Sequence, residues 1–231
     1  MKVLEQKAAS LQKAAGTLRN IIASVDSNHS IPWENIIKMI EVYKMTAHLE
    51  HSWVKELFTT DELRQYAEFE QEMKATNTKK VFEEKWQELL NDLKKNMEKA
   101  PDSPTGIQFG KKYMDFINGI YGKKYAHLRT RKWEKGFAEG KGLDEVGLTP
   151  EIMSWLEKAI DAYWRDRLMG ILGQIGKMQN SEVLTLWNKA LDDMFGEETA
   201  RKDAIYDIAL KEESLSPEAK IWLESIRKTR E

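Results

Sequence analysis

Cysteine is missing from this chain altogether. That removes disulfides, thiolate nucleophiles, CxxC redox pairs and Cys-ligated zinc in one step. A long apolar run is missing too. The most apolar stretch, Leu168 to Gly176, contains Gln174 and is far too short to span a bilayer. Met1-Lys2 is not followed by an apolar h-region, so no signal peptide is expected and the protein is expected in the cytoplasm, away from membranes. Neither sign of charge prevails. Lys+Arg 36 against Asp+Glu 38 leaves a net charge of −2, without the broad basic signature of a dedicated nucleic-acid binder. Finally, no segment sustains period-2 alternation of apolar and polar residues, so no sheet is expected.

The residues that are present are enough to fold. Hydrophobic residues are 41% of the 231 and aromatics 10%, which supports a buried core despite 32% charge. The length suits one large helical domain or two small ones.

Helical periodicity dominates the chain. Leu4, Leu11, Leu18 and Val25 repeat every seven residues, with Ala8, Ala15 and Ile22 four residues after the first three. This a/d seam predicts a coiled-coil helix over residues 1–26 that pairs two copies through residues 4–25, or else an amphipathic helix lying on its own domain. After a turn at Ser27–Pro32, Trp33, Ile36, Ile37, Ile40 and Tyr43 stripe a second helix. A short segment comes next with Trp53, Val54, Leu57 and Phe58. Thr59 and Glu62 then have capping-box spacing. Phe82, Trp86, Leu89, Leu90, Leu93 and Met97 predict a helix over about 78–99. Pro101-Asp-Ser-Pro104 breaks it, and Phe109 to Tyr121 stripe the next. Gly136 to Gly147 is the loosest loop. Thr149-Pro150 restarts a helix, and Gly170, Gly173 and Gly176 weaken its C-terminal continuation. Three further helices are expected at about 181–195, 199–211 and 216–228. The expected core includes Phe82, Trp86, Leu89, Leu93, Phe116, Ile117, Trp155 and Leu156.

One internal echo stands out. Leu148-Thr-Pro-Glu through Trp155-Leu156-Glu157 matches Leu215-Ser-Pro-Glu through Trp222-Leu223-Glu224 in register. Upstream, Tyr113 through Tyr121-Gly122 resembles Trp187 through Phe195-Gly196. Either the tail is a degenerate copy of the preceding unit, or L-[ST]-P-E is simply a good helix start.

Chemical motifs are scarce. His48 and His51 flank Glu50 and can share a helix face, but this is not HExxH, and a zinc site needs three or four ligands. They read as structural histidines. Gly136-Phe-Ala-Glu-Gly140-Lys141-Gly142 is one residue short of a phosphate loop, lacks the Ser/Thr after the lysine and comes after a helix rather than a strand. No spacing isolates a carboxylate pair or a nucleophile with its base, so no catalytic residue, metal ligand or cofactor is expected.

Two features suit binding. Between Lys111 and Lys135 stand eight basic residues against Asp115 and Glu134, with Tyr121, Tyr125 and Trp133 interleaved. This is a patch for an anionic ligand or a solvated helical face with its aromatics turned inward. Eight tryptophans in 231 residues then imply a large core, an aromatic-lined cavity, or both.

At these residues a family resemblance emerges. Lys7 through Ser24, Trp53 with Phe58-Thr-Thr-Asp-Glu-Leu63, Trp86-Gln-Glu-Leu-Leu90, Pro101-Asp-Ser-Pro104, Tyr113-Met-Asp-Phe-Ile117 to Gly122, and Gly147-Leu-Thr-Pro-Glu-Ile-Met-Ser-Trp155 succeed one another in order. The series resembles the C-terminal effector region of MerR-type transcriptional regulators, in particular the TipA-like (TipAS) ligand-recognition domains. It spans roughly residues 1–165. Tyr113 stands where that family has tryptophan, and Tyr121-Gly122-Lys123 lacks its second glycine and aspartate. The helix-turn-helix that precedes the linker helix in such regulators is not found in this chain, so any DNA contact would belong to that domain.

The resemblance implies an all-α protein with an N-terminal coiled-coil linker helix (1–26) and a globin-like effector domain (27–168); residues 169–231, which it does not cover, are expected as a helical extension, a possible degenerate repeat. It implies non-covalent binding of a bulky, partly aromatic or antibiotic-like compound, because relatives that trap thiopeptides covalently use a cysteine. A standalone drug-sequestering or protein-interaction module on the same fold is the alternative. The expected ligand walls are Trp53, Trp86, Tyr113, Tyr121, Tyr125 and Trp164, with His51 as a polar anchor and the basic run favouring anionic groups on the ligand.

Overall fold

The computed structural model describes residues 36, 37, 40, 44, 49, 52–76 and 78–229. The chain divides into two compact units, Met1–Leu49 and Glu50–Glu231. In the first, Ile36, Ile37, Ile40 and Lys44 are helical, as the stripe there predicts. The expected linker helix, its pairing seam, His48 and His51 lie outside the described residues.

The second unit is helical throughout. Its α-helices are α1 (Thr60–Ala75), α2 (Thr78–Asn96), α3 (Pro104–Tyr121), α4 (Ala126–Lys135), α5 (Pro150–Leu172), α6 (Asn180–Phe195), α7 (Thr199–Leu210) and α8 (Pro217–Lys228), with short 3-10 turns at Ser52–Glu56, Phe137–Glu139 and Asp144–Val146. Among the described residues there is no strand, only an isolated bridge between Ile175 and Met178. None of the described helices is long and apolar enough to cross a membrane.

Local chemistry explains the starts. Thr59 and Glu62 form both bonds of the capping box: the Glu62 N–H donates to Thr59 Oγ1 at 3.3 Å, and the Thr59 N–H to the Glu62 carboxylate at 2.8 Å. Ser103, Thr149 and Ser216 cap α3, α5 and α8, each with proline at the first helical position. The two echoing segments match in detail. The Ile152 N–H donates to Thr149 at 3.3 Å and the Ala219 N–H to Ser216 at 3.2 Å; Leu148, Trp155 and Leu156 are buried, as are Leu215, Trp222 and Leu223.

The most extensive helix pair is α3 with α5. They cross at Gly110, where a Cβ would lie 2.3 Å from the Ala159 carbonyl oxygen, so only glycine allows the approach. Phe109 packs edge-on against Trp155, and the Trp155 indole N–H donates to the Lys99 carbonyl at 2.9 Å. α5 runs unbroken through the expected boundary at 168/169 and ends at Gly173. Ile171 and Leu172 at its C-terminal end join Val183, Trp187, Leu191, Tyr206, Trp222 and Leu223 in a C-terminal core.

Of the expected core residues, Trp86, Leu89, Leu93, Ile117, Trp155 and Leu156 are buried. Phe82 and Phe116 are only half-buried. Their rings stack on each other at 5.3 Å, and Phe82 stacks on Trp86 at 6.2 Å. Helical spacing finds the apolar face of α2 but not its edge, and Phe82 stands at the edge of a cleft.

Candidate functional site

That cleft has a volume of about 550 Å³. Three elements build it. From α1 come Tyr66, Phe69, Glu70 and Met73, which are the i, i+3, i+4, i+7 positions of one helix face. From α2 come Phe82, Glu83, Trp86 and Gln87, and from α3 Ile120 and Tyr121. Lys132 on α4 and Asp144 to Gly147 of the glycine-rich loop complete the described lining.

The loop is pinned at two indoles. The Trp86 N–H donates to the Val146 carbonyl at 2.8 Å, and the Trp53 N–H to the Glu145 carboxylate at 3.1 Å. The glycines there seat Trp53. A Cβ on Gly136 would fall 2.6 Å from the indole, and one on Gly142, where φ is +67°, would fall 2.2 Å from it. The Trp53 ring also packs on Phe137 at 5.6 Å, beneath the Lys132 ammonium.

The sequence-derived site residues are thus divided. Trp86 and Tyr121 line the cleft. Trp53 does not; it lies behind the loop and holds it. Tyr125 is buried, packs edge-on against Phe69 and donates from its hydroxyl to Glu72 at 2.9 Å. Tyr113 is buried between Trp86 and Trp133. With Trp164 it lines a second, smaller cavity of about 120 Å³ near Arg129 and Met194. His51 lies outside the described residues.

Tyr121 is nine-tenths buried and stacks on Phe69 at 4.5 Å. Burial pushes its phenol well above the ordinary tyrosine range. Among the described residues none hydrogen-bonds to its hydroxyl. The Glu70 side chain is 11% exposed and pairs loosely with Lys74 at 3.9 Å.

Five cations of the basic run are ion-paired among the described residues. Lys111 pairs with Asp115, Lys112 with Asp92, Lys123 with Asp192, Lys124 with Glu72 and Arg131 with Glu62. Arg129 turns inward and donates to Asn118 and to the Asp193 and Met194 carbonyls at the C-terminal end of α6; burial lowers its pKa. Lys132 alone lines the cleft, and it donates to the Tyr66 hydroxyl at 3.3 Å.

Reading from the sequence missed Tyr66, Phe69, Phe82 and all four lining carboxylates. The missed signal was present in α1: Tyr66, Phe69 and Met73 make an apolar stripe, and Glu70 interrupts it with a carboxylate on the same face. Among the described residues no group of three or more His, Asp or Glu is placed to hold a metal. Compared with protein-family models, with curated proteins and with solved structures, the chain matches none.

Proposed function

We propose that this protein binds a bulky, partly aromatic small molecule, without catalysis and without a covalent bond, in the cleft between α1, α2, α3 and the glycine-rich loop. The observation that carries the reading is the cleft itself. Its volume, about 550 Å³, falls in the range of small-molecule sites, and apolar walls with a few polar groups give affinity and orientation. The lack of cysteine suits non-covalent capture.

The test is a compound screen by thermal shift. A ligand at a hundred times its dissociation constant stabilises the fold by about 2.7 kcal/mol. Ile120→Trp fills the cleft from its half-buried rim and is expected to abolish that stabilisation while the helical spectrum stays unchanged. Ligands indifferent to this substitution would sink the reading.

On the sequence resemblance, the binding module is further proposed to be the ligand-sensing effector region of a MerR-type regulator working in the cytoplasm. Its helices would then have the globin-like arrangement, and residues 4–25 would form the coiled coil of a homodimer. DNA contact would belong to a helix-turn-helix domain rather than to any surface described above. The dimer has a direct check. Wild type is expected to sediment as a dimer at micromolar concentration, and Leu11→Asp with Leu18→Asp as a folded monomer. A wild-type monomer at that concentration would refute the seam.

A further inference from the structure

We infer that the smaller cavity, where α3, α4, α5 and α6 meet, is a second ligand site, and that it takes a single-ring compound carrying an oxygen able to accept a hydrogen bond. The inference does not depend on the reading of the larger cleft.

Two unpartnered polar groups are the first observation. Tyr113 of α3 and Trp164 of α5 are both more than nine-tenths buried, and both line this cavity. Neither the Tyr113 hydroxyl nor the Trp164 indole N–H has a hydrogen-bond partner among the described residues. Buried polar groups without partners are costly, and a ligand that supplies a partner recovers that cost. The indole can only donate. Burial pushes the Tyr113 phenol well above the ordinary tyrosine range, so it too keeps its proton and can donate. Neither ring can easily swing away to another acceptor. Tyr113 is packed by Trp86 at 6.2 Å and by Trp133 at 5.9 Å, and Trp164 by Tyr163 at 4.7 Å.

The rest of the lining is the second observation. Three other polar side chains there are already engaged. Arg129 donates to Asn118 and to the Asp193 and Met194 carbonyls. The Thr130 hydroxyl donates to the Ala126 carbonyl at 3.0 Å. The Glu134 carboxylate accepts both arms of Arg201, at 2.6 and 2.7 Å. Met114, Ile117, Met194 and Phe195 add apolar wall. Two donors in a mostly apolar hollow are what orients a small ligand, and a ligand oxygen has lone pairs for them.

Size is the third observation. The cavity has a volume of about 120 Å³. An apolar cavity of about 150 Å³ admits benzene, so the scale here is one ring rather than two. Glu134 is exposed and Ile160 half-buried, so the cavity opens to solvent on their side and a ring can enter.

The experiment uses the full chain and two single-ring probes of matched size, phenol and toluene. Each is titrated while the indole N–H resonances of the isotope-labelled protein are followed, with Trp164→Phe identifying the Trp164 signal. Phenol is expected to shift that signal saturably and to bind more tightly than toluene, although toluene is the more apolar. Tyr113→Phe removes only the hydroxyl and is expected to weaken phenol about tenfold while leaving toluene unchanged. Ile160→Trp fills the cavity and is expected to abolish phenol binding. The comparison of phenol with toluene in the wild type needs no variant, so it tests the inference even if a variant fails to fold. Toluene binding as tightly as phenol, or phenol binding indifferent to Tyr113→Phe, would overturn the inference. So would the lack of a saturable shift at Trp164, or phenol binding lost in Ile120→Trp, which would place the ring in the larger cleft.

Discussion

Replacing Trp187 with alanine is expected to cost about 3–5 kcal/mol of folding stability, the largest loss from any single truncation in the C-terminal half. Trp187 is fully buried on α6. Its ring meets Tyr206 of α7 at 5.5 Å and Trp222 of α8 at 6.3 Å, edge-on in both cases. One side chain therefore joins three helices that share a core. A companion variant separates volume from polarity. Neither the Trp187 nor the Trp222 indole N–H has an acceptor among the described residues. An unsatisfied buried donor is itself a cost of about 1–3 kcal/mol. Trp187→Phe keeps most of the ring and removes one such donor, so it is expected to lose less than about 1.5 kcal/mol. Urea unfolding of both variants measures the difference. A loss below about 1 kcal/mol for Trp187→Ala would mean that this core collapses around the gap or contributes little. Native-state hydrogen exchange should place the loss in α6, α7 and α8.

These last helices were also the most legible in the sequence. Ser216-Pro217 and Gly196 mark where elements start and stop, and the observed spans, Asn180–Phe195, Thr199–Leu210 and Pro217–Lys228, lie within one residue of those read from spacing. Caps and breakers act over three or four residues, so they can be read locally. The cleft is the opposite case. Its lining comes from residues 66–73, 82–87, 120–121, 132 and 144–147, and which face of each helix meets the others is decided only by packing. Counting tryptophans identified a binding surface by its most conspicuous residue, and the fold uses Trp53 as a support and Trp86 as a wall.

The basic run shows the same limit in electrostatic form. Read along the chain, eight cations over 25 residues look like a patch for an anion. Four of them have remote partners: Asp92 is 20 residues from Lys112, Glu72 52 from Lys124, and Asp192 and Glu62 each 69 from Lys123 and Arg131. Folding brings those carboxylates alongside the run. A charge run predicts the field of a surface only where its counter-charges are also local.

Gly142→Val is expected to destabilise the protein by about 2–4 kcal/mol and to weaken cleft binding more than tenfold. Two costs combine. Gly142 has φ +67°, and a β-branched residue there is strained. The new Cβ also falls 2.2 Å from the Trp53 indole, which cannot retreat cheaply. Gly136 closes its other approach, Phe137 packs on its face and Glu145 takes its N–H. Whichever side yields, Glu145 and Val146 move, and both line the cleft. Gly140→Ala is the control. Its φ is also positive, at +81°, but a Cβ there meets nothing within 4 Å, so only the backbone strain of about 1 kcal/mol remains. A double-mutant cycle finishes the argument. Trp53→Ala removes the obstacle, so combining it with Gly142→Val should recover at least about 1 kcal/mol relative to the sum of the two single losses. If Gly142→Val costs no more than Gly140→Ala and binds ligand as wild type does, Trp53 does not hold the loop.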